Sequence, residues 1–162
     1  MKTWNFDTHH VWTGFGSTDD TYAPHWVRHG TTSGISSIYR TYLPLPSGAL
    51  SALAGADSVQ KIEIRLSQHG GFAGDPYTGL IAVTSVNGSS EPQIYYADRA
   101  GTTFQSGQTK WFTLSSAQRT ALAGGAYKGI AIGRTTAVTL QDFYGTSAGS
   151  SVRPQVRITY TA

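Results

Sequence analysis

The chain has 162 residues, no cysteine and a formal charge of +3, which allows one domain with a buried core and excludes disulfides and thiolate metal sites. Charged residues make up 13%, about half the roughly 25% usual in soluble domains, while nine Tyr, six Phe and four Trp exclude a disordered chain. The twelve Lys and Arg are scattered from Lys2 to Arg157, without the clustered basic footprint of a nucleic-acid binder.

The elements follow in chain order. Segments 3–8 and 11–15 read as two N-terminal strands that pair with each other, followed by a strand over 37–43. Pro46 introduces a short helix over Ser47–Ala54. The clearest strand is 59–66: Ile62, Ile64 and Leu66 fall on one face and Lys61, Glu63 and Arg65 on the other, the period of two of a strand with one wet face. Strands are expected over 79–86 and 110–114. A second helix over 115–123 has Ser115 or Ser116 as N-cap and stops at Gly124-Gly125. Strands over 129–133 and 140–144 come next, and 153–160 closes the chain with Val156, Ile158 and Tyr160 inward. Gly-, Ser-, Asn- and Pro-rich turns separate these runs, with no linker and no repeat. The pattern predicts one all-β domain over 1–162, an antiparallel β-sandwich of jelly-roll type with one or two short helices. No apolar h-region follows Met1-Lys2-Thr3 and no stretch approaches about 18 apolar residues, so neither a secretory signal nor a membrane span is expected.

Catalytic and metal motifs find no support. Five histidines are present, but His9 and His10 point to opposite faces of a strand, and His25 and His29 have helical metal spacing in a segment where Pro24, Val27 and Gly30 disfavour a helix. Ordinary hydrogen-bonded histidines are expected there, with no metal and no cofactor. Of the two glutamates, Glu63 sits between cations on a wet strand face and Glu91 precedes Pro92 in a loop. The aspartates stand in or beside turns, where they bond to backbone. No Gly-x-Ser-x-Gly elbow stands between strand and helix. The expected reading is therefore a protein without enzymatic activity.

Aromatic residues interleaved with polar ones mark the N-terminal third. Trp4 and Phe6 are assigned to the core, as is Trp111. Trp12, Tyr22 and Trp26 lie near Gly- and Asp-rich turns, and together with Phe72 and Tyr77 of a second loop they are the candidate ligand-binding residues. A ring face covers the C–H face of a pyranose while neighbouring polar groups take its hydroxyls.

From about Ser36 onward the chain runs through a particular series of segments: Ser-Ile-Tyr-Arg-Thr-Tyr-Leu-Pro-Leu (37–45), the alternating strand ending at Leu66, Gly79-Leu-Ile-Ala-Val-Thr-Ser85, Gly129-Ile-Ala-Ile-Gly133, Phe143-Tyr-Gly145, and Arg153-Pro-Gln-Val-Arg-Ile-Thr-Tyr160. This series resembles the C-terminal β-sandwich module of minor tail and tail-spike proteins in phages of actinobacteria, and more loosely the DNRLRE-type domains of bacterial adhesins. The family's Trp- and Tyr-rich segment after the first alternating strand is reduced here to Phe72 and Tyr77. The resemblance implies a virion surface protein, on the tail or the capsid exterior, that contacts other virion proteins and host cell-wall glycan. The small size of the chain and its lack of a trimerisation segment favour the alternative of a capsid decoration protein. A secreted carbohydrate-binding module is the more distant alternative. Low surface charge predicts assembly, as a trimer or on a lattice.

Overall fold

The computed structural model describes residues 1–13, 19–20, 26–31, 38–71, 73–86, 91–133 and 141–162. Along them run β1 (Lys2–Asn5), β2 (His10–Thr13), β3 (Asp19–Asp20), β4 (Trp26–Thr31), β5 (Ile38–Pro44), α1 (Ser47–Ala54), β6 (Ser58–Gly71), β7 (Tyr77–Ile81), β8 (Tyr95–Arg99), β9 (Thr109–Thr113), α2 (Ser116–Ala123), β10 (Gly129–Ile132), β11 (Gln141–Tyr144) and β12 (Gln155–Thr161). Among the described residues all pairings are antiparallel and two short helices are present, and the fold is an all-β sandwich.

The first layer has the order β1-β12-β6-β9. Its inward residues are those the alternation marks: Ile62, Ile64 and Leu66 of β6, with Val156 and Ile158 of β12, are all at 1% exposure or less. The second layer has the order β3-β2-β5-β10-β7-β8. Two strands cross between the layers. β6 pairs with β12 through Arg65 and then with β11 from Gln68 onward, and β4 pairs with β11 over Trp26–His29 and with β5 at Gly30 and Thr31. The hydrogen-bond ladder therefore turns the corner without a break, which leaves fewer open edges to protect.

Among the described residues two hydrophobic clusters hold this arrangement. The larger fills the space between the layers, with Leu43, Leu80, Ile130 and Ile132 of the second layer facing Ile64, Phe112 and Val156 of the first. Phe104 meets Phe143 and Phe112 edge-on, at centroid separations of 5.3 and 6.2 Å. The smaller cluster covers the opposite face of the second layer: Tyr42, Ile81 and Ala131 lie under Trp12 and Val86, with Ile94 against them. All four residues of β10 are buried as a result, so the Gly-Ile-Ala-Ile run is apolar on both of its faces for a physical reason.

Both helices bury an i, i+4 pair. α1 starts at Pro46, whose carbonyl accepts from the amides of Ala49 and Leu50, and it buries Ala49 and Leu53. α2 buries Gln118 and Leu122.

Several expectations change. β1 and β2 do not pair with each other: β1 joins β12 in one layer and β2 joins β5 in the other. Phe6, at 1% exposure, makes the crossing by sinking into the core between them. The strand expected over 79–86 begins at Tyr77 and ends at Ile81. Trp111 is not in the core. Phe112 takes the inward position opposite Ile64, which leaves Trp111 on the outer face opposite Arg65, with the Arg157 guanidinium 4.1 Å from its ring centroid. Glu63 does lie on the outer face, yet it is only 6% exposed, because Lys61 and Arg157 cover it, each 2.8 Å from one of its oxygens.

Candidate functional site

A capping box opens α2. The Ser115 hydroxyl accepts from the Gln118 amide, and the Gln118 side-chain oxygen accepts from the Ser115 amide, each at 3.2 Å. Such a box normally serves only the helix end. Here the other end of the Gln118 side chain works as well. Its Nε2 donates to the Tyr96 carbonyl at 2.9 Å, to the Thr78 carbonyl at 3.2 Å and toward the Thr78 hydroxyl at 3.3 Å. Gln118 and Thr78 are each 1% exposed, so these bonds form away from competing water and hold strongly.

What Gln118 braces is an irregularity between β7 and β8. The register shifts between Thr78 and Leu80, as at a β-bulge, and Tyr96 takes φ of 53°. A left-handed conformation costs a non-glycine residue about 1–2 kcal/mol. Gly79 is the matching requirement on β7: a Cβ there would overlap Ile94 Cγ2 and stand 3.1 Å from the Tyr95 carbonyl. Gln118 and Gly79 together allow a strained residue to persist in an edge strand.

The strain presents an aromatic surface. Tyr96 is 48% exposed and meets Tyr127 edge-on with centroids 5.4 Å apart, while Tyr95 stands 5.3 Å from the same ring at a tilt of 59°. Slight desolvation and then the neighbouring Tyr96 hydroxyl push the Tyr127 pKa up. Tyr127 also borders a cavity of about 40 Å³ between α1 and α2, whose other walls include Leu50, Leu53, Leu122, Ala123 and Lys128. β8 has a strand neighbour only in β7 among the described residues, and Asp98 and Arg99 charge its exposed end. Three rings at mutual angles beside a small apolar recess offer faces for C–H groups and hydroxyls for hydrogen bonds.

The residues selected from sequence are placed differently. Trp12 is 1% exposed and packs in the smaller cluster, so its ring has no face to offer a ligand; β2 directs it onto the same face as Tyr42, against Ile81. Tyr22 and Phe72 lie outside the described residues. The backbone of Trp26 belongs to β4, and its side chain lies outside the described set. Tyr77 is half-buried at the start of β7 under the Arg99 guanidinium, 4.6 Å from its ring centroid. Tyr95, Tyr96 and Tyr127 were missed. The available signal was the Tyr95-Tyr96 tandem in a polar stretch, with the bare Gly79 to receive it.

A buried polar cluster lies on the outer face of the second layer. Glu91 Oε1 accepts from Arg40 Nε at 2.5 Å and from the Tyr42 hydroxyl at 2.6 Å. Burial and then this bond to Glu91 push the Tyr42 pKa up. Burial alone would lower the Arg40 pKa, but the bond and charge of Glu91 outweigh it and leave it raised. Every charge in the cluster is matched, as a structural pin requires. His9 Nδ1 stands 2.8 Å from the Thr146 hydroxyl, an ordinary hydrogen bond. Among the described residues no three His, Asp or Glu side chains stand together as metal ligands would, and no helix is long and apolar enough to cross a membrane.

No family model and no curated protein matches this chain.

Proposed function

We propose that this chain is a non-enzymatic ligand-binding domain of a bacteriophage virion, and that Tyr95, Tyr96 and Tyr127 form its contact surface for a host cell-surface glycan. The observation that carries this reading is Tyr96, a non-glycine residue at φ of 53° that is 48% exposed. Packing does not account for its conformation, since the ring covers little of the core. Strain of this kind persists where the surroundings over-determine it, and it clusters at binding sites. Angled tyrosine rings suit the alternating C–H and hydroxyl surface of a sugar, and the recess beside Tyr127 suits a small apolar substituent. The virion part of the reading is supported by the resemblance of the 129–133 and 153–160 segments to the phage tail module.

One ring–sugar contact contributes on the order of 1 kcal/mol, by analogy with aromatic pairs. A single domain therefore binds weakly, and attachment needs several copies acting together, consistent with a homo-oligomer or lattice. The test is binding of multimerised protein to purified host cell walls, with Tyr96→Gly and Tyr127→Ala as folded variants. Loss of binding in both supports the reading. Retention in both removes the tyrosine surface from it, and a parent that does not bind, together with antibody labelling of phage heads in electron microscopy, replaces it with capsid decoration.

A further inference from the structure

The outer face of the first layer holds a charge arrangement unlike the matched clusters above. Lys61 and Arg157 share the carboxylate of Glu63. Arg65 and Arg153, in contrast, have no carboxylate within ion-pair distance among the described residues. Both are nevertheless tied to the same stretch of backbone, 148–153. Arg65 Nη2 donates to the Ser150 carbonyl at 2.8 Å and to the Arg153 carbonyl at 3.1 Å, and Arg153 Nε donates to the Ala148 carbonyl at 3.1 Å. Arg65 Nε is buried with no acceptor. Burial first, and then the like charge of Arg153, lower the Arg65 pKa from its ordinary value. The Trp111 ring, 5.9 Å from the Arg65 guanidinium, bounds one flank, and Gly149, Ser150 and Ser151 lie exposed on the other.

We infer that Arg65 and Arg153 form a binding site for an oxyanion, a phosphate or sulfate group, beside the connection between β11 and β12. Anchoring that connection would require one of the two guanidiniums. It does not account for a second one on the same short connection with no counter-charge among the described residues, since like charges in partial burial repel. An oxyanion removes the repulsion and uses hydrogens that the backbone carbonyls leave free on both planar forks, which match phosphate geometry in a way that lysine ammoniums do not. The site lies on the other layer from the tyrosine surface and does not depend on the glycan reading.

The experiment is an NMR titration of the folded protein with inorganic phosphate at constant ionic strength, following the arginine Nε–Hε and tryptophan indole signals. Constant ionic strength separates binding from the general stabilisation that excluded anions give any folded protein. Saturable shifts at Arg65, Arg153 and Trp111 are expected. Arg153→Gln should weaken binding at least about tenfold, the worth of one charged hydrogen bond, and Arg153→Lys should restore only part of it. Arg119→Gln, which alters a half-buried cation of α2 bonded to the Gln60 carbonyl, should leave it unchanged. Shifts that rise without saturation, or equal affinity in the parent and Arg153→Gln, would overturn the site, and so would an equal loss in Arg119→Gln. Repeating the titration with short linear polyphosphate identifies the source: tighter binding per phosphate group points to a phosphate-bearing polymer, and tighter binding of the monomer to free phosphate.

Discussion

Gln118 bonds to two strands and to its own helix cap from a position 1% exposed. Gln118→Ala would leave the Thr78 and Tyr96 carbonyls without their buried donor and remove half of the capping box. The expected loss is about 2–3 kcal/mol in chemical denaturation, the cost of unsatisfied buried groups together with a lost cap. Tyr96→Gly should act in the opposite direction. Glycine takes φ of 53° without Cβ strain, so stability is expected to rise by up to about 1 kcal/mol while glycan binding falls. A Tyr96→Gly variant that is clearly destabilised would show that the ring is needed for packing. Glu63 sets an acid limit. Its bond to Arg157 is the largest cause of a pKa held below the ordinary 4.5. A carboxylate with a depressed folded pKa stabilises the fold above its unfolded value and loses that contribution as pH falls through the folded one. Melting temperature measured against pH should therefore drop more steeply below about 4.5 in the parent than in Glu63→Gln.

Among the elements, β10 and β8 mark the two extremes. β10 is paired on both sides and buried on both faces, while β8 has one partner among the described residues, an irregular register and four exposed residues out of five. In native-state hydrogen exchange the β10 amides should open only with global unfolding, and the Tyr95–Arg99 amides by local opening at far lower free energy. Gly79→Ala should detach β8 selectively, since its Cβ meets Ile94 and the Tyr95 carbonyl; an exchange pattern identical to the parent would contradict that. The same contrast explains what the sequence made legible. β6, β12 and β10 were readable because alternation or a continuous apolar run states which faces are buried. The serine N-cap and Gly124-Gly125 likewise announced α2. β8 was not readable: its residues face solvent, so no periodicity is imposed on them, and what fixes it is Gln118, a side chain 22 residues away in the chain. Trp12 misled for the related reason that β2 packs on a second hydrophobic cluster. Nothing in a four-residue strand reveals that both faces of its sheet are covered. The arginine pair was similarly hidden, because Arg65 read as one more cation on a wet strand face until the connection carrying Arg153 folded over it.

For the whole molecule, the two hydrophobic clusters are parts of one unit. β5, β7 and β10 each send alternate residues into both: Leu43 and Tyr42, Leu80 and Ile81, Ile130 and Ala131. Loosening either cluster withdraws support from the other through the shared backbone. Unfolding should be a single transition, with tryptophan fluorescence and far-ultraviolet circular dichroism coinciding; separated midpoints would show that the covering of the second layer melts independently. Pairing of the chain's first strand with its last has a mechanical consequence. β1 and β12 run antiparallel with Lys2 opposite Ile158, so the two termini emerge at the same corner. A load applied between them pulls across the strand direction and breaks the β1–β12 hydrogen bonds one rung at a time, like a zipper, instead of shearing them all together. A domain tethered through both ends would yield at low force, whereas one tethered through a single end would carry the load of a bound surface without loading that seam.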